Sequence, residues 1–207
     1  MKLGNYKFLI GIDEVGRGPL AGPVAVGAFL IPVGALVRVR RIFRGIKESK
    51  QLSAEKREEW FRIIQCAQKE GLIDFRVSFM SEKVIDGKGL SFAIRSALRS
   101  SLGGLRFDDR RISPTICRVL LDGGLKAPLE YIDQKTIVKG DEKEMVIALA
   151  SICAKVLRDG KLTKLSSKYP EYGLHVHKGY GTKAHYAAIR KYGMCPIHRR
   201  SFLKRMD

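Results

Sequence analysis

The sequence predicts an α/β fold with a helical C-terminal extension. Short apolar runs alternate along the chain with longer segments in which apolar residues recur at helical spacing. The last part of the chain contains only helical and loop-like patterns. A length of 207 residues is typical of one domain. We expect a sheet domain over residues 1–165 and a helical segment over residues 166–207 that packs on it.

Strands are predicted where short runs are rich in apolar, β-branched and aromatic residues. These runs are Phe8 to Ile12, Val24 to Ile31, Ile73 to Phe79 and Arg118 to Leu121. A glycine-rich turn joins the first two. A shorter apolar pair, Ile137-Val138, follows later in the chain.

Helices are predicted where apolar residues recur between a capping residue and a stop signal. Ser53 is the expected N-cap of a helix from Ala54 to about Lys69, which Gly71 ends. The other predicted helices are Leu90 to Leu102, Glu142 to about Leu165, and Lys183 to Tyr192, the last capped by Thr182 and stopped by Gly193. The intervening segment Tyr169 to Tyr180 is predicted to be a loop.

The chain is strongly cationic, with a formal net charge of +18. Such an excess indicates a polyanionic partner, and nucleic acid is the first candidate because neutralised phosphates release counterions. Residues 38–50 and 175–207 carry much of this charge and could form the two sides of one groove. The alternative is that each cluster is a solvated face that only aids solubility.

Several classes of protein are disfavoured by the composition. The four cysteines are far apart and lack a Cys-x-x-Cys pair, which predicts buried thiols in a reducing compartment rather than a zinc site or disulfides. The charge-free stretch Gly18 to Val37 contains three prolines and four glycines, which argues against a membrane-spanning helix. The apolar run at Phe8 to Ile12 is too short for a signal peptide core. We therefore expect a cytoplasmic protein without membrane contact.

The segment Gly16 to Gly22 looks like a dinucleotide-binding glycine fingerprint, but its context argues against that function. The fingerprint must open a helix whose N-terminus holds the pyrophosphate, whereas here the strand-like run Val24 to Ile31 follows. The preceding acids Asp13 and Glu14 would also repel phosphates.

Acidic residues stand where three predicted strand-like runs end. They are Asp13 with Glu14, Asp122, and Asp141. Strand ends of an open α/β sheet face the crevice where ligands bind, and clustered carboxylates are normally held ionised by a divalent cation. Oxygen ligands select Mg²⁺ or Mn²⁺, and two such ions suit phosphodiester cleavage.

Structural alternatives remain for two of these acids. Asp141 with Glu144 matches a capping box for the following helix, and Asp122 before two glycines could be a turn residue. A non-catalytic basic nucleic-acid-binding protein is the rival function, but such a protein needs cations and aromatic residues rather than acids facing its own ligand.

The residues around these acids resemble the type 2 ribonuclease H family, ribonuclease HII. The resemblance rests on seven blocks in order: 11–24 (GIDEVGRGPLAGPV), 49–53 (SKQLS), 121–123 (LDG), 139–141 (KGD), 147–159 (IALASICAKVLRD), 177–182 (HKGYGT) and 196–202 (PIHRRSF). It implies a ribonuclease H-like mixed β-sheet flanked by helices.

The resemblance also implies an activity and a set of site residues. Asp13, Glu14, Asp122 and Asp141 match the family's metal-binding carboxylates, with two Mg²⁺ or Mn²⁺ ions as cofactors. The implied reaction is hydrolysis on the 5′ side of a ribonucleotide in RNA/DNA hybrids or duplex DNA, leaving a 3′-hydroxyl and a 5′-phosphate. A monomer is expected. The implied substrate contacts are Gly16, Arg17 and Gly18 at the 2′-hydroxyl, Tyr180 stacked at the following deoxyribose, and Ser49, Lys50 and Lys155 near phosphates.

The four C-terminal histidines and Cys195 could be assembled into a zinc site on paper. No pair has the usual finger spacing, and the histidines lie among Lys and Arg. We predict surface or phosphate-contacting roles for them instead.

Overall fold

The computed structural model describes residues 6–46 and 52–203. Its main sheet has five strands, which are β1 (Phe8–Val15), β2 (Val24–Pro32), β3 (Asp74–Met80), β6 (Cys117–Asp122) and β7 (Asp133–Ile137). Their order across the sheet is β3-β2-β1-β6-β7. β1 runs antiparallel to β2 and parallel to β6, so the sheet is mixed, as predicted. A two-stranded ribbon is formed by β4 (Arg106–Phe107) and β5 (Arg110–Arg111).

Nine α-helices lie within the described residues. They are α1 (Leu36–Ile42), α2 (Ala54–Lys69), α3 (Glu82–Lys88), α4 (Leu90–Gly104), α5 (Gly140–Lys143), α6 (Met145–Lys168), α7 (Leu174–His177), α8 (Lys183–Tyr192) and α9 (Arg200–Leu203). The predicted caps of α2 and α8 are confirmed: Ser53 accepts from the amide of Lys56, and Thr182 accepts from the amide of His185. Among the described residues, no helix is both long and apolar enough to cross a membrane.

Helices cover both faces of the main sheet. Successive side chains of a strand point to opposite faces, so each strand contributes residues to two cores. Ile10 and Ile12 of β1 pack in one core with α4. Leu9 packs in the second core, which contains α1, α2 and α6. The odd-numbered positions of β1, which include Asp13, therefore face α6.

The C-terminal part packs on the turn between β1 and β2. Its apolar cluster contains Leu20, Ala21, Tyr172, Leu174, Ile189, Ile197 and Leu203. The amide of Leu20 donates to the carbonyl of Gly179 at 2.7 Å, and Ala21 forms a bridge with His198. These contacts hold the glycine-rich turn against the segment that contains Tyr180.

Some sequence predictions need correction. The long helix starts at Met145 rather than Glu142, because the one-turn helix α5 comes first and the chain is extended at Glu144. No side chain caps α6, so the proposed Asp141–Glu144 capping box is wrong. The predicted loop after Tyr169 contains α7.

The prediction of four buried thiols also fails in part. Cys117 and Cys153 are buried, but Cys66 is exposed and Cys195 is half-buried. Cys66 lies on the outer side of α2, where apolar neighbours in sequence do not imply burial because the helix turns them to another face. The dinucleotide alternative is excluded, since β2 and not a helix follows the glycine-rich turn.

Candidate active site

Two of the predicted acids lie side by side at the ends of neighbouring parallel strands. Ile12 of β1 is in register with Leu121 of β6, so the next positions, Asp13 and Asp122, are neighbours at the same edge of the sheet. Both side chains face α6 because they continue the odd-numbered face of β1 and the even-numbered face of β6.

The third acid, Asp141, is brought to the same place by a sharp turn after β7. Lys139 adopts a left-handed backbone conformation there, and the amide of Gly140 donates to Oδ1 of Asp122 at 2.6 Å. A side chain at position 140 would collide with Ile147 and press on Asp122. The small residue thus allows Asp141, which is fully buried, to lie beside the strand ends.

The four acids interact electrostatically. The pKa of Asp13 is raised to about 7, mainly by burial and further by the negative charges of Glu14, Asp122 and Asp141, while a hydrogen bond with Ser151 opposes the shift. Burial also raises the pKa of Glu14, against the effect of its hydrogen bond from Arg17. Mutual repulsion at a buried site is the condition under which a cation is favoured.

The donor chemistry of these acids fits a hard divalent cation. Oε1 of Glu14 accepts from Arg17 at 2.8 Å, but its Oε2 is buried without a hydrogen-bond partner. The carboxylate oxygens are the ligands that Mg²⁺ and Mn²⁺ prefer. Within residues 6–46 and 52–203, no three His, Cys, Asp or Glu side chains are already arranged as metal ligands, so the carboxylates would have to move together around a bound cation.

A cleft of about 370 Å³ opens in front of the acids. Its lining is Asp13, Glu14, Val15, Arg57, Asp122, Ser151, Ile152, Lys155 and Tyr180. Lys155 lies one turn after Ser151 on α6, and its Nζ is 3.0 Å from Asp159. The Tyr180 ring is partly exposed at the mouth, with Lys155 Nζ 5.8 Å from its centroid. Sequence reasoning missed Arg57 and Ser151 as site residues.

The glycine-rich turn is held by two buried arginines that the sequence analysis did not single out. Arg199 donates to the carbonyls of Gly16 and Arg17 at 2.7 and 3.0 Å. Arg158 donates to the carbonyl of Pro23 and packs against Gly16, where any side chain would collide with its guanidinium. Gly16 also has a positive φ, which favours glycine. Gly18 is exposed, and a Cβ at this position would lie 4.0 Å from the ring of Tyr180.

Not all predicted site residues can be placed in this cleft. Ser49 and Lys50 lie outside the described residues. The predicted surface role of the histidines is wrong for two of them, since His185 and His198 are buried. Burial lowers the pKa of His185 to about 4, so this ring is uncharged near neutral pH. Charged neighbours in sequence did not indicate this burial. His185 lies on α8, where adjacent residues face different directions, and His198 forms a bridge with the distant Ala21.

Comparison with known proteins assigns the family. Residues 10–205 match the family described as Ribonuclease HII. The chain belongs to the ribonuclease HII family. A Ribonuclease HII from Caldicellulosiruptor bescii is 44% identical over 200 residues, which cover 97% of this chain and 88% of that protein. This ribonuclease HII family member is accordingly a ribonuclease H endonuclease.

Solved structures share the ribonuclease HII fold. The ribonuclease H2 from Pyrococcus horikoshii OT3 superposes with a TM-score of 0.71 at 27% identity and covers 96% of each chain. Bst-RNase HIII in complex with Mn²⁺ has a TM-score of 0.64 and covers 97% of this chain and 66% of its own. At 20% identity, the second likeness shows the fold alone.

Proposed function

We propose that this endonuclease hydrolyses the phosphodiester on the 5′ side of a ribonucleotide, in RNA/DNA hybrids or in duplex DNA, and leaves a 3′-hydroxyl and a 5′-phosphate. The observation that carries the proposal is the group of four interacting carboxylates, of which Asp13, Glu14 and Asp122 line a cleft that also contains Tyr180, while Asp141 is buried behind it. The strongly cationic chain supports a polyanionic substrate.

Two divalent cations, Mg²⁺ or Mn²⁺, are proposed as cofactors, held by Asp13, Glu14, Asp122 and Asp141. Bound cations would activate a water and stabilise the leaving oxygen. Support comes from the unpaired Oε2 of Glu14 and from the raised pKa of Asp13, which a nearby cation would lower. The Mn²⁺ complex of the structurally similar Bst-RNase HIII is consistent with this choice.

Cationic side chains of the cleft would bind the phosphates around the cleaved bond. Lys155 and Arg57 line the cleft on two different helices, α6 and α2. Lys155 is held by Asp159, so its ammonium group is oriented before substrate arrives. Ser151 hydrogen-bonds Asp13 and would hold this carboxyl in place during the reaction. Ser49 and Lys50 remain predicted phosphate contacts.

The glycine-rich turn and Tyr180 would recognise the ribonucleotide. Arg199 already donates to the carbonyl oxygens of Gly16 and Arg17, which holds the turn so that its N–H groups can be offered to a sugar. A 2′-hydroxyl accepts such hydrogen bonds, and a deoxyribose has no equivalent oxygen. Gly18 lets the sugar approach the backbone closely, opposite the ring of Tyr180.

Cleavage of three matched duplexes tests the proposal. A duplex with one ribonucleotide should be nicked on its 5′ side when Mg²⁺ or Mn²⁺ is present, and should stay intact in EDTA. An all-DNA duplex of the same sequence should not be cut, and a full hybrid should be. Equal cutting of the all-DNA duplex would refute recognition of the 2′-hydroxyl.

Asparagine variants of the acids separate catalysis from binding. Asp13→Asn and Asp141→Asn should each lower the cleavage rate by more than about 100-fold, because a ligand oxygen loses its charge. Duplex binding should be largely retained, since the cationic residues are unchanged. Full activity in either purified variant would contradict the proposed metal site. If a variant bound the duplex more weakly but cleaved the bound duplex at the normal rate, the acid would have a role in binding instead.

Three further features remain predictions: the division into residues 1–165 and 166–207, a monomeric state, and a cytoplasmic location.

A further inference from the structure

A chain of hydrogen bonds connects two buried histidines to the backbone of Tyr180. His185 and His198 are buried and do not line the cleft, and their Nε2 atoms are 3.1 Å apart. His185 Nδ1 is 2.9 Å from the carbonyl oxygen of Tyr180, and His198 Nδ1 is 2.9 Å from the amide nitrogen of Cys195. Neither ring takes part in the proposed chemistry.

The two ends of this chain determine where its protons are. His198 Nδ1 lies 2.9 Å from the amide nitrogen of Cys195 and 3.3 Å from its carbonyl oxygen. The shorter contact is with an amide that can only donate, so Nδ1 is an acceptor and the proton of this ring is on Nε2. That proton is directed to Nε2 of His185, which therefore accepts and carries its own proton on Nδ1. The carbonyl of Tyr180 can only accept, and it receives this proton.

Both rings must be uncharged for the chain to exist. A proton added to His185 would place two N–H donors face to face across 3.1 Å. Burial lowers the pKa of both rings, in agreement with neutral forms. The other ionisable groups that face the pair are His177, stacked on His185, and Tyr172 and Cys195 beside His198.

A second histidine contact holds the residue before Tyr180. His177 Nδ1 accepts from the amide of Gly179 at 3.2 Å, and its Nε2 is 2.7 Å from the carbonyl of Tyr172, to which it donates. The amide of Tyr180 in turn donates to the carbonyl of His177. The backbone on both sides of the tyrosine is thus held by an imidazole.

We propose that His185 and His198 are positioning residues for Tyr180, acting through this directed hydrogen-bond chain on its backbone carbonyl. The chain sets the height of the aromatic ring above the cleft, opposite Gly18. The inference rests on the proposed function, in which Tyr180 stacks on the sugar next to the ribonucleotide. A ring displaced by about 1 Å would misalign the cleaved bond and lower turnover more than binding.

Two substitutions at position 185 test the chain. His185→Asn retains a side-chain donor near the Nδ1 position and should keep kcat within about threefold of the unsubstituted enzyme. His185→Leu removes the donor and should lower kcat on the singly ribonucleotide-substituted duplex by about tenfold or more, with KM changed less than about twofold. Equal kcat values for the two folded variants would overturn the proposal.

A double-mutant cycle shows whether the effect passes through Tyr180. In a Tyr180→Ala background, His185→Leu should cause little further loss of kcat, because the ring that it positions is gone. The same fold loss in both backgrounds would overturn the proposal. An unchanged kcat in Tyr180→Ala alone would also overturn the proposal for His185 and His198. The proposed function is tested separately, by ribonucleotide-dependent nicking with the unsubstituted enzyme.

The matched control is Leu98→Ala, a buried apolar change on α4, in the core on the opposite face of the sheet from α6. It should lower the thermal midpoint while kcat is retained at a temperature where the variant is folded. A loss of kcat equal to that of His185→Leu would reveal a merely structural effect and would overturn the proposal. If His185→Leu does not fold, His198→Asn takes its place, because it keeps an acceptor for the Cys195 amide and removes the donor to His185.

Discussion

Asp13 is a carboxyl group whose ionisation the fold opposes. Its pKa rises from 3.8 to about 7, chiefly through burial. An acid with a raised pKa in the folded state gives up its proton more readily when the chain unfolds. The folded state therefore loses stability as pH rises from about 4 to 7, by a total on the order of 4 kcal/mol.

We predict that Asp13→Asn stabilises the protein at alkaline pH while it abolishes cleavage. In EDTA at pH 8 the variant should unfold at a higher temperature than the unsubstituted protein. Its free energy of unfolding should be larger by up to several kcal/mol. The difference should shrink as pH falls and level off below about pH 3, where the carboxyl group is protonated in both states. Thermal unfolding followed by circular dichroism at four or five pH values measures this.

Two controls accompany this measurement. Asp133→Asn removes a half-exposed carboxylate on β7, away from the acids of the cleft, and serves as the control for the loss of one negative charge. Added Mg²⁺ should stabilise the unsubstituted protein more than Asp13→Asn, because one ligand charge is missing in the variant. The quantity to compare is the stability of Asp13→Asn minus that of the unsubstituted protein. If this difference were smaller at pH 8 than at pH 4, the prediction would be contradicted.

At the residue scale, acids could be predicted from sequence more readily than buried cations. Asp13 and Asp122 follow apolar runs, and strand ends meet at one sheet edge, so the pattern predicts their proximity. Arg158 and Arg199 are fully buried, which is rare for arginine, and their partners are carbonyls far away in sequence. Hydrogen bonds to a distant backbone leave no local pattern.

At the scale of elements, the close approach of α6 to β1 and β2 places the cleft residues. Gly27 of β2 faces the carbonyl of Ala150, and Gly11 of β1 faces that of Val146, so that a side chain at either position would collide with the helix backbone. This close packing brings Ser151 within hydrogen-bonding distance of Asp13. Two glycines in strands thus determine where the helix can contribute to the site.

Gly27→Ala should displace α6 and affect both stability and catalysis. The added methyl group would collide with the carbonyl of Ala150 and lie 3.2 Å from Cβ of Ala154, at a cost of about 1–3 kcal/mol. A shift of the helix would also move Ser151 and Lys155, so kcat should fall by about tenfold or more. Urea unfolding and single-turnover cleavage measure the two effects.

Gly160→Ala, on the same helix, is the matched control. No atom lies within 4 Å of a Cβ at this position, so the change should stabilise α6 by about 0.5–1 kcal/mol through helix propensity and leave cleavage unchanged. Equal stability of the Gly27→Ala and unsubstituted proteins would show that α6 can move away from the sheet without cost.

Elements with strong periodicity could be predicted, whereas short or polar ones could not. The bounds of α2 and α8 agree with the capping residues, because a cap is a local signal. β7 has the polar sequence of an edge strand, with no apolar alternation to mark it. α1 and α3 have seven residues each, too few for a helical period to stand out.

For the whole molecule, the positive charge is spread more widely than one groove requires. Arg57 lines the cleft near the start of α2, whereas Arg38 of α1 pairs with Glu70 at the end of that helix, 2.9 Å away. Thirteen residues of helix separate Arg57 from Glu70, a rise of about 20 Å. The basic segment 38–50 therefore begins far from the acids, so its first arginines do not form a side of the cleft.

This separation predicts different roles for two arginines of equal charge. Arg57→Ala should weaken binding of a singly ribonucleotide-substituted duplex and lower the slope of log Kd against log salt by about 1, the signature of one lost phosphate contact. Arg38→Ala removes the same charge but should leave the slope unchanged. Its exposed ion pair with Glu70 should contribute less than about 1 kcal/mol to stability, so both variants should fold.

Fluorescence anisotropy at four salt concentrations, in EDTA to prevent cleavage, distinguishes a local contact from a diffuse one. If net charge alone attracted the duplex, the two variants would lose affinity equally, since each changes the total of +18 by the same amount. A loss confined to Arg57→Ala requires that the duplex lies across the cleft and touches α2. Binding that weakened only in Arg38→Ala would place the duplex along α1, away from the carboxylates, and would contradict the proposed substrate path.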